Sequence, residues 1–211
     1  MLMLALTFST GIVDAIGYLG LDKVFAGNMT GNVVILGMAA AGADDLPLVG
    51  PSIALAGFLL GALAGGRVAR PVEGGQWSRR IGALFATVGV VLAGLSITLF
   101  VVGSSPAKAP LLVIVALLSV AMGLQAATAR HLAVKDITTV VVTSLITGLA
   151  ADAAVSGTRQ PWPRRVLALA LISVGALVGA ATLQVHPGLG LGLAAVLTLA
   201  VAAVGTLNQR R

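Results

Sequence analysis

Long apolar stretches separated by short polar ones make up almost the whole chain. A helix that spans a membrane needs about 20 mostly apolar residues. Six stretches have roughly that length: 2–20, 46–66, 81–102, 111–128, 166–183 and 189–207. Two shorter apolar pieces, 28–42 and 137–153, each follow a polar interruption. We therefore predict an all-α polytopic membrane protein with six spans and two short re-entrant or half helices.

Composition supports one transmembrane domain over residues 1–211. The chain is 58% hydrophobic and only 9% charged, whereas soluble domains carry about 25% charged residues. Its lysines and arginines lie in short loops beside apolar segments, which is typical of the positive-inside rule and not of a nucleic-acid surface. We expect the lipid bilayer as a partner and no nucleic acid.

The distribution of positive charge favours six spans over eight. If both short pieces crossed, the 13 lysines and arginines would divide seven to six between the two sides. If both re-enter, eleven lie on one side, and only Lys23 and Lys108 lie on the other. Because cytoplasmic loops are rich in lysine and arginine, we predict six spans with both termini cytoplasmic. Eight spans stay the alternative, since 15 to 17 helical residues rise about 22–26 Å.

The two halves of the chain resemble each other. Gly61 and Gly175 begin matching GALAG and GALVG motifs 114 residues apart, and Gly11 and Gly123 lie 112 apart in similar segments. Each half reads as span, short piece, span, span. With re-entrant pieces the halves have opposite orientations, as in transporters built from inverted repeats. The predicted repeats are 1–103 and 110–207.

The stretch 24–33 is a polar break in an apolar region. Asn28, Thr30 and Asn32 arrive within five residues, interleaved with glycines. Such side chains cap a helix and satisfy its free N–H groups. Alternatively, the positive end of this short helix faces a solute or ion. Asn28 and Asn32 share one helix face and Thr30 points elsewhere.

Asp14 is a lone carboxylate within an apolar segment. At mid-membrane it costs at least about 2.5 kcal/mol, so we expect it to face the protein interior. One interpretation is a proton or cation site, or a counter-charge for a substrate. The other is a structural bond to Asn28, Thr30 or Arg130.

The second half offers further candidates for the same solute or ion pathway. They are Gln125, Arg130, Thr139 and Thr143. Arg130 has three alternatives: it pairs with Asp14, binds an anionic substrate, or extends to the lipid headgroups.

Two stripes of small residues and the absence of several motifs bear on packing and on chemistry. Glycines at four-residue spacing let helices pack closely, either between the repeats or across a homodimer. They are Gly57, Gly61, Gly65, Gly175 and Gly179. Neither a metal-ligand cluster nor a phosphate-binding loop is visible, and cysteine is absent. We therefore expect no metal, no cofactor and no enzymatic activity.

Several of these residues also carry a family resemblance. Segments 7–14 (TFSTGIVD), 18–20 (YLG) and 24–32 (VFAGNMTGN) are similar to the N-terminal signature of the YoaK family, bacterial membrane proteins of unknown function. Segment 123–127 (GLQAA) and the helix containing Thr143 resemble its second-half signature, although Thr143-Ser144 replaces the usual Thr-Gly pair. The resemblance implies the bacterial inner membrane and about six spans, but no substrate.

These observations lead to three functional expectations. The first is a small secondary transporter or permease for a small solute or ion, with its site at the helix breaks near the membrane midplane. The second is a channel-like pore with paired half helices. The third is a non-transporting scaffold in which Asp14 is purely structural.

Overall fold

Helices are the only regular secondary structure in the part of the polypeptide that the structure describes. The computed structural model describes residues 1–104, 106–132 and 162–209, together with helical positions 143, 146 and 147. Within this part the helices are α1 (Leu2–Gly20), α2 (Met29–Ala40), α3 (Val49–Ala69), α4 (Arg79–Val102), α5 (Lys108–His131), α6 (Trp162–Leu183) and α7 (Pro187–Asn208). All but α2 are long and apolar enough to cross a membrane. The all-α architecture with six candidate spans is therefore confirmed.

Local sequence explains most helix boundaries. Ser78 caps α4 by accepting a hydrogen bond from the Ile81 amide, and Gly103 ends that helix with a φ of 92°. His186 caps α7 and is followed by Pro187 in the first turn, where proline is well tolerated. The second span, α3, begins three residues later than predicted, because Asp45 has a φ of 60° and forms a turn before it.

The hydrophobic core lies between α1, α4, α5 and α7. Ile12, Ile16, Leu92, Leu118 and Leu191 are among its fully buried side chains. Helices α3 and α6 pack on the outside and bury mainly glycine and alanine. Their large residues point outward instead, for example Leu59, Leu60 and Leu177. That arrangement suits helices that face lipid on one side.

Glycines set the closest contacts between helices. A Cβ added at Gly61 of α3 would collide with the carbonyl oxygen of Val120 in α5, and one at Gly175 of α6 would collide with that of Phe8 in α1. Phe8 and Val120 lie 112 residues apart, and Gly61 and Gly175 lie 114 apart. The α1–α6 and α3–α5 pairs therefore share one kind of close glycine–carbonyl contact, at positions with similar spacing in the sequence.

The glycines considered for a homodimer are occupied within the chain. Gly57, Gly61 and Gly65 contact α5, and Gly175 and Gly179 contact α1. All five are buried. Of the two alternatives, the structure assigns these glycines to packing between the halves, so a dimer would need another surface.

The two ends of the bundle differ in charge. The amide of Gly75 donates to the His131 carbonyl, and Trp77 packs on Gly205, so the loop after α3 and the ends of α5 and α7 lie together. This end, which we call the basic end, holds Met1 and the described arginines: Arg67, Arg70, Arg79, Arg80, Arg130, Arg164 and Arg165. The opposite end, the Asp22 end, holds Asp22, Lys23, Asp44, Asp45 and Lys108.

The segment that contains α2 leaves the Asp22 end of the bundle and returns to it. Residue 27, just before it, lies beside Thr10 and Asp14, about halfway along α1. After α2, the Asp45 carbonyl accepts a 2.7 Å hydrogen bond from Lys23 Nζ, which precedes it. Twelve residues rise about 18 Å, short of the roughly 30 Å apolar core of a bilayer. The segment between Lys23 and Asp45 thus returns to the Asp22 end.

Candidate functional site

Asp14 binds the backbone that leads into α2. The amide of Gly27 donates a 2.7 Å hydrogen bond to Asp14 Oδ1, and the amides of Ala26 and Asn28 add further favourable interactions with the carboxylate. Because the N-terminus of a helix carries a partial positive charge, the carboxylate also complements the start of α2. Asp14 therefore anchors a non-helical segment against α1.

Thr10 and Gln125 extend this polar region to α5. Thr10 lies one turn before Asp14 on the same face of α1, and its hydroxyl donates to the Leu6 carbonyl. Its oxygen is then free to accept from Gln125 Nε2 at 3.2 Å. Since the Thr10 proton is already used, this network fixes which end of the Gln125 amide faces Thr10.

The other end of the Gln125 amide is left without a partner. Gln125 is only 1% exposed, and its Oε1 atom has no hydrogen-bond partner. A buried acceptor of this kind costs about 1–3 kcal/mol. It therefore marks a position where a donor or a cation is energetically favoured.

Gly27 is the point at which these elements meet. A Cβ added there would lie 3.0 Å from Thr10 Cγ2 and 3.4 Å from both Asp14 Oδ1 and Met122 Cε. A larger residue would therefore crowd Thr10, and glycine suits this close approach of the loop to α1 and α5. We call Thr10, Asp14, Gly27 and Gln125 the polar cluster.

The polar residues at the start of α2 have three different environments. Asn32 is fully buried; its Oδ1 accepts from the Phe25 amide at 2.9 Å and its Nδ2 donates to the Phe25 carbonyl at 2.6 Å. Asn28 is exposed and caps the helix by accepting from the Gly31 amide at 3.3 Å. Thr30 is exposed. Asn32 is thus a structural clamp, and Asn28 acts as a cap.

Arg130 does not pair with Asp14. It is exposed in the last turn of α5, at the basic end. Gln125 of α5 contacts Thr10 of α1, so these two residues lie at the same depth in the bundle. Along α1, Asp14 lies one turn from Thr10 toward the Asp22 end. Along α5, Arg130 lies five residues from Gln125 toward the basic end. The two charges are therefore about 13 Å apart along the helix axes. Of the second-half candidates, Thr143 is helical and exposed, and Thr139 lies outside the described residues.

Comparison with known proteins assigns the chain to a family. Residues 2–204 match the family described as "Protein of unknown function (DUF1275)". The chain is 30% identical over 187 residues to "UPF0700 transmembrane protein YoaK" of Bacillus subtilis (strain 168), and the match covers 84% of this chain and 80% of that protein. The chain belongs to the YoaK family. No solved structure matches it.

Membership in the YoaK family fits the fold and leaves the activity open. The relative is named a transmembrane protein, in agreement with six helices that are long and apolar enough to span a bilayer. This YoaK-family chain is therefore a multi-pass membrane protein. In the described part, no group of three or more histidine, aspartate or glutamate side chains is close enough to hold a metal ion.

Two residues of the polar cluster were absent from the sequence-based site. Thr10 could have been found, because it lies four residues before Asp14 and so shares its helix face. Gly27 acts through its backbone amide, and no side-chain pattern indicates that role. In this YoaK-family chain the cluster joins residues of the first half of the sequence to Gln125 in the second.

Proposed function

We propose that this protein is a small secondary transporter, or permease, that carries a small solute or ion across the bacterial inner membrane. One observation carries the proposal. The carboxylate of Asp14 lies within a spanning helix and binds the start of a short helix that is broken from the spans around it. The proposed role is non-enzymatic.

The energetics of a membrane interior support this proposal. A carboxylate there is costly and is found mostly on ion and substrate pathways. Non-helical backbone at membrane depth is tolerated only against protein or a water-filled cavity. Residues 24–28 are such a backbone, and Asp14 beside them is only partly buried. Both features are expected at the site of a transporter with discontinuous helices.

The equivalence of the two halves is a second support. The α1–α6 and α3–α5 pairs meet at matching glycines. In addition, α1 runs from the basic end to the Asp22 end and α5 runs in the opposite direction. We propose two inverted repeats whose helix pairs rock against each other, which is the usual route to alternating access.

Charge orients this arrangement in the membrane. The basic end holds all the described arginines, and the positive-inside rule assigns such an end to the cytoplasm. The first and last residues that the structure describes, Met1 and Gln209, also lie at that end. We therefore propose that α2 is a half helix that re-enters from the outer side.

A scaffold role without transport is the second candidate. It is favoured by the hydrogen bond from Gly27 to Asp14, because that contact alone gives Asp14 a structural purpose. A channel with the same half-helix geometry would differ in its kinetics, since its flux would not saturate with solute concentration.

Flux into proteoliposomes tests these alternatives. Purified protein is reconstituted, and a panel of small amines, amino acids, sugars and inorganic ions is screened by radiotracer uptake and by electrical recording. A transporter predicts saturable uptake of one class, strongly reduced by Asp14→Asn and lowered by Asn28→Ala. Asp44→Asn, an exposed acid outside the cluster, is the matched control and should transport normally. Unchanged flux in both site variants would reject the site, and no flux for any class would favour the scaffold.

A further inference from the structure

The polar cluster contains a carboxylate that has no lysine or arginine of the described helices beside it. Asp14 brings a negative charge into the bundle, and its recorded partners are backbone amides. The lysines and arginines of the described helices all lie in first or last turns, so none of them is beside Asp14. A charge in such a place normally has a partner of opposite sign.

Gln125 provides a second, independent group that favours a donor or a cation. Its Oε1 atom is buried and unpartnered, and it can only accept. The amide nitrogen of Gln125 is 3.2 Å from the Thr10 hydroxyl, and N and O of an amide are about 2.2 Å apart, which keeps Oε1 within about 5.5 Å of Thr10. Asp14 lies on the next turn of the same helix face. Two acceptors from different helices thus share one small region.

An anion does not fit this region. The N-terminus of α2 could attract one, but the carboxylate of Asp14 already occupies that position. A water molecule would satisfy Gln125 and leave the charge of Asp14 uncompensated. A divalent ion prefers several carboxylates, and the other acids of the described part, Asp22, Asp44, Asp45 and Glu73, lie near the two ends of the bundle.

We infer that the polar cluster binds a small monovalent cation between the Asp14 carboxylate and the Gln125 amide oxygen. The ligand class comprises alkali-metal ions and ammonium-type ions, which share a single positive charge and are held by oxygen acceptors such as a carboxylate and an amide carbonyl. The inference rests on the proposed function in one respect: if the protein is a transporter, this cation is its substrate or its coupling ion.

Thermal unfolding of the purified full chain tests the inference, because a ligand that binds the folded state raises Tm with its concentration. Chlorides of lithium, sodium, potassium, ammonium and methylammonium are titrated against choline chloride at constant ionic strength and pH. The expected result is a saturable rise in Tm for at least one small cation. A rise in Tm with the alkali-metal chlorides or with the ammonium chlorides identifies which of the two kinds of cation binds.

Variants then locate the bound ion. Asp14→Asn and Gln125→Leu should weaken the apparent affinity by about tenfold or more, the effect of losing one charge-assisted contact. Gln125→Glu adds a carboxylate and should tighten it. Thr128→Val is the matched control, because Thr128 is equally buried but bonds within its own helix to the Leu124 carbonyl. It should bind like the wild type.

The outcomes separate this inference from the proposed function. If no cation raises the Tm of the wild-type protein more than choline does, the inference is wrong. This outcome does not depend on the folding of any variant. An undiminished response in Asp14→Asn overturns the location. Cation binding without flux leaves the site standing and rejects transport. Flux in a protein whose Tm responds to no cation rejects the site and leaves transport standing.

Discussion

The amide of Gly27 donates a hydrogen bond to Asp14 Oδ1 across 2.7 Å. This contact joins the loop before α2 to the middle of a spanning helix. It gives Asp14 two separable properties: an oxygen acceptor that holds the loop, and a negative charge. Substitutions can remove one without the other.

Substitutions at Asp14 should therefore show whether the oxygen acceptor or the negative charge stabilises the fold. Asp14→Ala leaves the Gly27 amide unpaired, and we expect a loss of about 1–3 kcal/mol in unfolding free energy. Asp14→Asn keeps an oxygen at the same position and should lose less than half of that. Thermal unfolding in detergent measures both. Equal destabilisation by the two variants would show that the charge itself, and not the acceptor, holds the loop.

Asn32 should matter more to stability than Asn28. Asn32→Leu removes two hydrogen bonds to the Phe25 backbone from a fully buried position, and we expect a cost of about 2–4 kcal/mol. Asn28→Ala removes one exposed helix cap and should cost about 1 kcal/mol. Unfolding curves of the two variants provide the comparison. The reverse order would contradict the assigned roles.

Gly61 and Gly66 form a matched pair in α3. The Gly61→Ala methyl would collide with the Val120 carbonyl, so we expect a loss of about 1–3 kcal/mol in unfolding free energy. A methyl at Gly66 meets nothing within 4 Å, and Gly66→Ala should be neutral or stabilising by up to about 1 kcal/mol. Gly175→Ala tests the equivalent contact of α6. If it behaves like Gly66→Ala, the two helix pairs are not equivalent.

The absence of cysteine allows the path of α2 to be mapped by single substitutions. Asp22→Cys and Asp44→Cys flank α2 and are both exposed at the Asp22 end. An impermeant maleimide should label both from outside intact cells. Gln76→Cys, exposed at the basic end, should react only after lysis. If Asp22→Cys and Asp44→Cys were labelled from opposite sides, α2 would cross the membrane.

Particular residues show how far the sequence leads at the candidate site. Asp14 and the start of α2 were identified because polar residues in an apolar run are costly and therefore conspicuous. The sequence alone does not select the partner of Asp14, because the positive charge of Arg130 and the amide of Gly27 could each interact with a carboxylate. Only the packing of α1 against α5 and the loop places Gly27 at the carboxylate and Arg130 about 13 Å away.

The sequence by itself determined the properties that depend on local composition. These are the six spans, the break before α2, the small-residue stripes and the concentration of arginine near the ends of the apolar stretches. Hydrophobic length and charge are read along the chain, so no partner is needed to recognise them. Tertiary structure alone decided which glycine meets which carbonyl, why Asn32 is buried while Asn28 is exposed, and why Gln125 is left with an unpaired oxygen. Those facts depend on contacts between residues far apart in the chain, and close packing, not composition, selects among them.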